Sequence, residues 1–176
     1  MKKIIIISTV LAFCSFLAKS QEKSLEQVME LNMPASIESP TPQKLQTFMQ
    51  RHKKSKIDLK SNKGKIYTTG DVIIQVNGGS AKVPADLLES RKIFYDDYNK
   101  QIITQKNYSS VIKIINNCKV LMINYDRLND YSYYLIYGVN NNINDKAFAI
   151  RIEYKKEDSA KVNKIVAHIL NKIRFK

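Results

Sequence analysis

The side chains best suited to acid–base or metal chemistry in this 176-residue sequence are two histidines and one pair of adjacent aspartates. His52 and His168 have no cysteine or carboxylate at a metal-ligand spacing, so the sequence predicts no metal site. Asp96 and Asp97 are neighbours, and in a helix their side chains point about 100° apart, which prevents both carboxylates from reaching one substrate atom. We therefore expect no metal, no other cofactor and no catalytic carboxylate pair.

The candidate nucleophiles and anion-binding loops also lack the surroundings that their chemistry needs. Ser109-Ser110 has no flanking glycines of the kind that expose a hydrolase serine. Asn77-Gly78-Gly79-Ser80 could present backbone amides to an anion, but it lacks the lysine and the spacing of a phosphate loop, so we predict a plain turn. Cys118 has only Lys119 as a basic neighbour, and we interpret it as a small, partly buried apolar side chain. The sequence indicates a protein that is not an enzyme, with a hydrolase of unrecognised site as the least favoured alternative.

The first twenty residues have the layout of a secretory signal peptide. Lys2 and Lys3 give a positive start, and an almost unbroken apolar run follows from Ile4 to Ala18. Small residues before a cut between Ser20 and Gln21 complete the pattern. We therefore predict cleavage near Ser20/Gln21 and a periplasmic or secreted protein, with no transmembrane segment in the mature chain.

Cys14 offers a second interpretation of the leader, since it faintly resembles the cysteine of a bacterial lipoprotein signal. Phe13 stands where that signal requires a small residue, so we favour simple cleavage over lipidation. Removing the leader leaves Cys118 as the one cysteine, which excludes an internal disulfide framework.

The net charge is strongly positive, +13 for the whole chain, and it falls to +10 without the three lysines of the leader. Export makes nucleic acid an unexpected ligand and leaves acidic proteins, acidic polysaccharides and phosphate-bearing lipids as anionic partners. The most basic window runs from Arg51 to Lys65 and includes Lys53, Lys54 and Lys56. It is interpreted either as a solvated loop or as a docking patch for an acidic partner.

We divide the chain into a signal peptide (1–20), an N-terminal segment broken by prolines (21–40) and a single α+β domain (41–176). Thr41 before Pro42 predicts a helix start, because a capping hydroxyl precedes proline at the first helical position. A second helix is predicted from Pro84 to about Asn99, with Leu87, Leu88, Arg91, Phe94, Tyr95 and Tyr98 on one apolar face.

The second half of the chain predicts an antiparallel sheet closed by a helix. Two strand-like runs, Val111–Ile115 and Lys119–Tyr125, flank Asn116-Asn117, a pair that tolerates left-handed turn geometry. Further strands are predicted at Tyr131–Tyr137 and Ala147–Tyr154. The last element carries one apolar stripe at helical spacing, formed by Val162, Ile165, Val166, Ile169, Leu170 and Ile173.

A cluster of tyrosines on the strand from residue 131 to residue 137 is the candidate binding surface. Tyr131, Tyr133 and Tyr137 share one face of this strand, and Tyr134 lies on the other. Exposed tyrosines make good contacts because they are large, rigid and amphipathic. If helices cover both faces of the sheet, these rings belong to the core instead.

This order of elements resembles the PsbP/DcrB-like superfamily of small α/β sandwich domains. The residues that carry the resemblance are Val72–Val76 with Asn77–Gly79 and the helix from Pro84 to Asn99, the stretch Ile112–Tyr125, and the ending Ala147–Lys176. The resemblance implies an α+β fold in which a mainly antiparallel sheet is flanked by helices as an α/β/α sandwich. Its members are mostly binding or assembly factors without a common active site, so it transfers no functional residue.

We therefore expect an exported, monomeric binding or assembly factor of the bacterial envelope that acts through protein–protein contacts. Its partner is an unknown protein, and an acidic one would complement the positive charge. Its expected contact residues are Tyr131, Tyr133, Tyr134 and Tyr137 together with Arg51, Lys53, Lys54 and Lys56. One version of this function is an immunity-type protein that neutralises an acidic toxin. The alternative is a carrier of a small ligand in a cleft between sheet and helices.

Overall fold

An antiparallel sheet is the central element of the protein. The structure, a computed structural model, describes Leu25 and residues 29–51, 64–80, 83–101, 106–126, 131–140 and 146–176. Eight strands are assigned within these residues: β1 Met29–Glu30, β2 Lys65–Thr69, β3 Val72–Ser80, β4 Lys106–Ile115, β5 Cys118–Asp126, β6 Tyr131–Asn140, β7 Lys146–Lys155 and β8 Arg174–Phe175. Six of them form one sheet in the order β2-β3-β7-β6-β5-β4, and β1 pairs with β8 in a separate two-stranded ladder.

Every neighbouring pair in the large sheet is antiparallel, and the turn between β4 and β5 shows how the sequence achieves this. Asn116 and Asn117 both have positive φ angles, 51° and 60°, which asparagine tolerates better than other residues with a side chain. Two such residues in succession give the turn whose twist matches that of the flanking strands. The turn predicted at this pair is confirmed.

Three helices are described besides a short 3₁₀ turn: α1 Pro42–Arg51, α2 Leu87–Gln101 and α3 Ser159–Lys172. At the start of α1 the Thr41 hydroxyl accepts a hydrogen bond from the Lys44 backbone N–H at 3.3 Å. This bond satisfies one of the donors that a helix leaves unpaired at its first turn. The predicted helix start at Thr41-Pro42 is confirmed.

Helix α3 covers one face of the sheet with its apolar stripe. Val162, Ile165, Val166, Ile169 and Leu170 are all buried, and so is Ile173 immediately after the helix. They pack in one cluster with the sheet residues Val72, Ile74, Val76, Ile136, Ile150 and Ile152. Met29 and Ile37 complete this cluster, so the described part of the N-terminal segment helps to cover the same face.

The opposite face is covered by the other two helices. Phe48 of α1 packs on Ile73, and Leu88 of α2 packs in a second cluster with Leu121, Ile123 and Leu135. The protein is therefore an α+β sandwich in which an antiparallel sheet lies between helices, as the sequence predicted. No helix among the residues described combines the length and the apolar character that crossing a membrane requires.

The turn predicted at Asn77–Ser80 is wrong, because β3 continues through these residues and pairs with β7 as far as Ser80 and Lys146. Gly78 serves a close approach instead. A Cβ atom at this position would lie 2.5 Å from Leu25 Cδ1, so the Leu25 side chain would have to shift to admit one.

We expect Ile169→Ala to lower the free energy of unfolding by about 2–5 kcal/mol, because Ile169 is fully buried and its truncation leaves a cavity under α3. Urea denaturation followed by circular dichroism measures this change. Asn163→Ala on the exposed side of the same helix is the matched control and should change the free energy of unfolding by less than about 0.5 kcal/mol. Equal effects of the two substitutions would contradict the packing described for α3.

Candidate functional site

The large apolar side chains that are exposed in the described part of the chain all lie on two elements, α2 and β4. They are Ile93, Phe94 and Tyr98 on the helix and Val111 and Ile114 on the strand, and we call them the α2–β4 surface. Ile93 and Ile114 are the most open, at 62% and 65% of full exposure. Single exposed apolar residues are ordinary, but their restriction to one edge of a protein is typical of an interaction site.

The inner side of α2 explains why its aromatic residues divide into buried and exposed groups. Leu88 is buried in the core, and the Arg91 guanidinium carbon lies 4.2 Å from the centroid of the Tyr137 ring on β6. The hydroxyls of Tyr95 and Tyr137 are 2.9 Å apart and share a hydrogen bond. Burial raises the pKa of Tyr95, and the neighbouring Tyr137 raises it further. These contacts fix the rotation of α2 about its axis.

That rotation turns Phe94 and Tyr98 outward. Their rings stack on each other with centroids 6.0 Å apart and planes inclined by 10°. The ring of Phe94 also meets Tyr95 edge-on, with centroids 5.5 Å apart. Stacked and edge-on arrangements are the ones that aromatic rings prefer, so the two exposed rings present one joint apolar surface.

Asp96 fastens α2 to β4. Its carboxylate accepts hydrogen bonds from Tyr108 OH at 2.7 Å and from Ser110 Oγ and Lys92 Nζ, each at 2.5 Å. Burial alone would raise the pKa of Asp96, but these three donors outweigh it and lower the pKa to about 2. Burial and the bond to Asp96 raise the pKa of Tyr108 to about 12. At neutral pH the cluster therefore holds a carboxylate and a neutral phenol.

The other two carboxylates of α2 are also paired with lysines. Glu89 forms an ion pair with Lys119 of β5, and Asp97 accepts a hydrogen bond from Lys100 at 2.9 Å. The hydrogen bond from Lys119 lowers the pKa of Glu89. The adjacent strand β4 contains Lys106 and Lys113 and no acidic residue. The edge formed by α2 and β4 therefore has apolar side chains, paired acids on the helix and lysines on the strand.

The predicted tyrosine cluster lies further inside the molecule, because β6 is a central strand with helices over both faces. Tyr133 is only 5% exposed and stacks on Tyr125 with ring centroids 5.3 Å apart. Tyr131 and Tyr137 share its face and are half-buried, and Tyr134 is half-buried on the face covered by α3. The structure thus places these rings mainly in the core, and their role in partner binding stays a prediction.

The predicted basic residues are almost wholly outside the part of the chain that the structure describes. Arg51 is the last residue of α1, while Lys53, Lys54 and Lys56 fall in the undescribed stretch 52–63. The structure therefore does not place this group relative to the tyrosines. The signal peptide and Cys14 also lie outside the described residues.

The prediction that Phe94 and Tyr98 belong to the apolar face that α2 packs on the sheet is wrong, because both side chains are exposed. At 100° per residue Phe94 lies about 120° around the helix from Leu88, and Tyr98 lies about 80° from it, so neither is central to the face that Leu88 and Tyr95 define. Ile93 lies about 140° from Leu88, on the side that should be polar. A large apolar residue at that position is the signal that could have identified this surface from the sequence.

A pocket of about 220 Å³ lies at the end of the sheet where the β4–β5 turn meets the C-terminal residues. Asn116, Asn117, Asn140, Arg174 and Phe175 line it. The Asn116 side-chain amide is already used, donating to the Leu170 carbonyl at 3.0 Å at the end of α3. This pocket is not the predicted cleft between sheet and helices, and the carrier function stays a prediction.

Among the side chains considered for chemistry, Ser110 and Asp96 are brought together by the hydrogen bond that joins β4 to α2. No group of three or more histidine, cysteine or carboxylate side chains placed to hold a metal ion is found among the described residues. Cys118 is fully buried, and burial raises the pKa of its thiol. The sequence predicted a partly buried side chain, and the structure buries Cys118 completely.

We expect Asp96→Asn to lower the free energy of unfolding at pH 7 by about 1–3 kcal/mol, since it weakens two charge-assisted hydrogen bonds from β4 and one from Lys92 within α2. The pKa of Asp96 in the fold, about 2, lies below its ordinary value of 3.8. Its stabilising contribution is therefore complete above about pH 4 and is lost as the pH falls toward 2. Urea denaturation of Asp96→Asn should show a shallower loss of stability over that interval.

Asp97→Asn is the matched control, because Asp97 is the next residue, is mostly exposed and contacts Lys100 of its own helix. If the free energy of unfolding falls between pH 4 and pH 2 as steeply in Asp96→Asn as in the unsubstituted protein, the role given to Asp96 is contradicted.

The comparisons with known proteins concern the fold. No family model matches the chain, and no curated protein matches it. Among solved structures, the chain is similar to the solution structure of cyanobacterial PsbP (CyanoP) from Synechocystis sp. PCC 6803, with a TM-score of 0.48 and 8% sequence identity. The match covers 89% of this chain and 92% of that one.

Proposed function

We propose that this protein is a binding or assembly factor that acts through protein–protein contacts made by the α2–β4 surface. The observation that carries the proposal is the restriction of the exposed large apolar side chains in the described residues to α2 and β4. When a partner removes large apolar side chains grouped in this way from water, the free energy of the complex is lowered.

The construction of the surface supports a binding role. Phe94 and Tyr98 are stacked in advance, and Asp96 and Tyr95 anchor the helix that carries them. A partner that docks here does not need to order a flexible segment, which reduces the entropy lost on association. Aromatic side chains held in this way are frequent among the residues that contribute most to interface affinity.

The proposed setting is the bacterial envelope, which the leader supports. The partner is then an exported protein, and the net positive charge favours one with an acidic surface. An immunity-type protein that binds an acidic toxin is one form of this function, and the tyrosines of β6 and the basic residues near Arg51 remain proposed secondary contacts.

A photo-crosslinking amino acid at position 98 should give a discrete cross-linked product with one protein in cells of the source organism. We expect this result because Tyr98 is exposed at the proposed contact and a bulky aromatic replacement fits its position. Denaturing gel electrophoresis followed by mass spectrometry identifies the product.

The same crosslinker at position 164 is the matched control, because Lys164 is exposed on α3, on the opposite side of the sheet. Products of equal yield at positions 98 and 164, or no product at position 98 or position 93, would refute the proposed function.

The proposed export predicts that the mature protein begins at Gln21. Intact-mass spectrometry of the protein purified from the periplasm or the medium should give the mass of residues 21–176 without added lipid. Recovery of the full-length chain from the cytoplasm would contradict export, and a lipid-modified chain that begins at Cys14 would replace simple cleavage by anchoring.

A further inference from the structure

We propose that β4 accepts an extended acidic segment of the partner as an additional strand of the sheet. This inference rests on the proposed function, since it describes how the partner occupies the α2–β4 surface. An added strand gains main-chain hydrogen bonds from the sheet edge and specificity from its alternating side chains.

The two edges of the sheet differ in a way that favours β4. At the β2 edge the segment before α1 already forms a bridge, since the Thr68 N–H donates to the Glu38 carbonyl at 2.9 Å and the Glu38 N–H donates to the Thr68 carbonyl at 3.2 Å. The outer side of β4 pairs with no strand in the described residues. An edge of this kind exposes backbone donors and acceptors that another chain can pair with.

The regular part of β4 defines the length of the segment it can take. Pairing between β4 and β5 is continuous from Ser109 to Ile115, whereas an irregularity separates Lys106 from Ser109 and gives Asn107 a φ of 53°. A bulge interrupts the spacing of hydrogen-bonding groups along an edge. The available edge is therefore the seven residues Ser109–Ile115.

The two sides of this edge differ in chemistry. On the side of α2, Ile114 is exposed on the strand and Ile93 is exposed on the helix. On the other side Ser109, Val111 and Lys113 are exposed. Since side chains of a strand alternate between the two faces, the added strand should alternate apolar residues toward α2 with acidic residues toward Lys113.

The charges identify the occupant as acidic rather than as a second copy of this chain. The available edge has one exposed lysine, Lys113, and no acid, and the three acids of α2 are already paired with lysines. Two copies meeting at β4 would each bring a lysine-bearing edge and a net charge of +13, or +10 without the leader. Like charges placed opposite each other across a strand pair are destabilising, whereas carboxylates there complement the lysines.

The probe is a fluorescein-labelled peptide of about nine residues in which glutamate alternates with valine, long enough to span Ser109–Ile115. We expect saturable binding to the purified protein in fluorescence polarisation at low salt. Hydrogen–deuterium exchange should show that the bound peptide slows amide exchange within Ser109–Ile115. The same peptide with a central proline, which removes one backbone donor and blocks pairing, should bind at least about tenfold more weakly.

Lys113→Glu tests the charge contribution at an exposed position. It should weaken binding of the peptide by about 5- to 30-fold, because an attraction becomes a repulsion at the edge. Lys164→Glu on α3 changes the net charge by the same amount and serves as the control, with an expected change of less than about twofold.

The outcomes separate this inference from the function on which it rests. No binding at millimolar peptide, equal binding of the proline peptide, or slowed exchange only outside Ser109–Ile115 would overturn strand addition at β4. If one of those results is obtained but position 98 still cross-links to a partner, the proposed binding function is supported. The partner then contacts the side chains of α2 without adding a strand to β4. Absence of cross-linking would refute the binding function, whatever the peptide does.

Discussion

The structure depends on one constraint, which is that both faces of a six-stranded sheet must be kept from water. Such a sheet is about 24 Å wide, since neighbouring strands are about 4.8 Å apart, whereas one helix with its side chains covers about 10 Å. Helix α3 and residues 29–37 cover one face over β3, β7 and β6, and α1 and α2 divide the other face between them. Helix α2 is fastened to the outermost strand β4 through Asp96, yet Val111 and Ile114 of that strand stay exposed, so the proposed binding surface lies at this edge of the sheet.

Local patterns were sufficient to predict the elements that depend on nearby residues. The stripe of α3 and the Asn116-Asn117 turn depend on side chains within one or two turns of chain, and both were predicted correctly. The conformation of residues 77–80 was predicted wrongly. The preference of Asn-Gly-Gly for turns is overridden there by pairing with β7, about seventy residues further along the chain. The room that Gly78 leaves for Leu25 is likewise a tertiary contact without a local signal.

The candidate site also combines features that nearby residues determine with features that depend on distant parts of the chain. The sequence correctly separated Tyr131, Tyr133 and Tyr137 from Tyr134 by strand alternation, but exposure depends on the order of strands in the sheet. Because β6 lies between β7 and β5, its rings are covered, whereas β4 was not recognised as an edge from its own residues. The apolar face predicted for α2 was too wide, because it included Phe94 and Tyr98. The contacts of Arg91 and Tyr95 with Tyr137 set the rotation of the helix and leave those two rings exposed.

The pairing of β1 with β8 has a consequence for the order of folding. Met29, which is 1% exposed, is held opposite Phe175, so the pairing that fixes Met29 over the core joins residues almost 150 positions apart in the sequence. Contacts between such distant residues form late, since a long loop of chain must first be closed. Until β8 pairs with β1, the patch around Gly78 and Met29 therefore stays open, and a chain in which this ladder has not formed would expose that patch to chaperones or proteases.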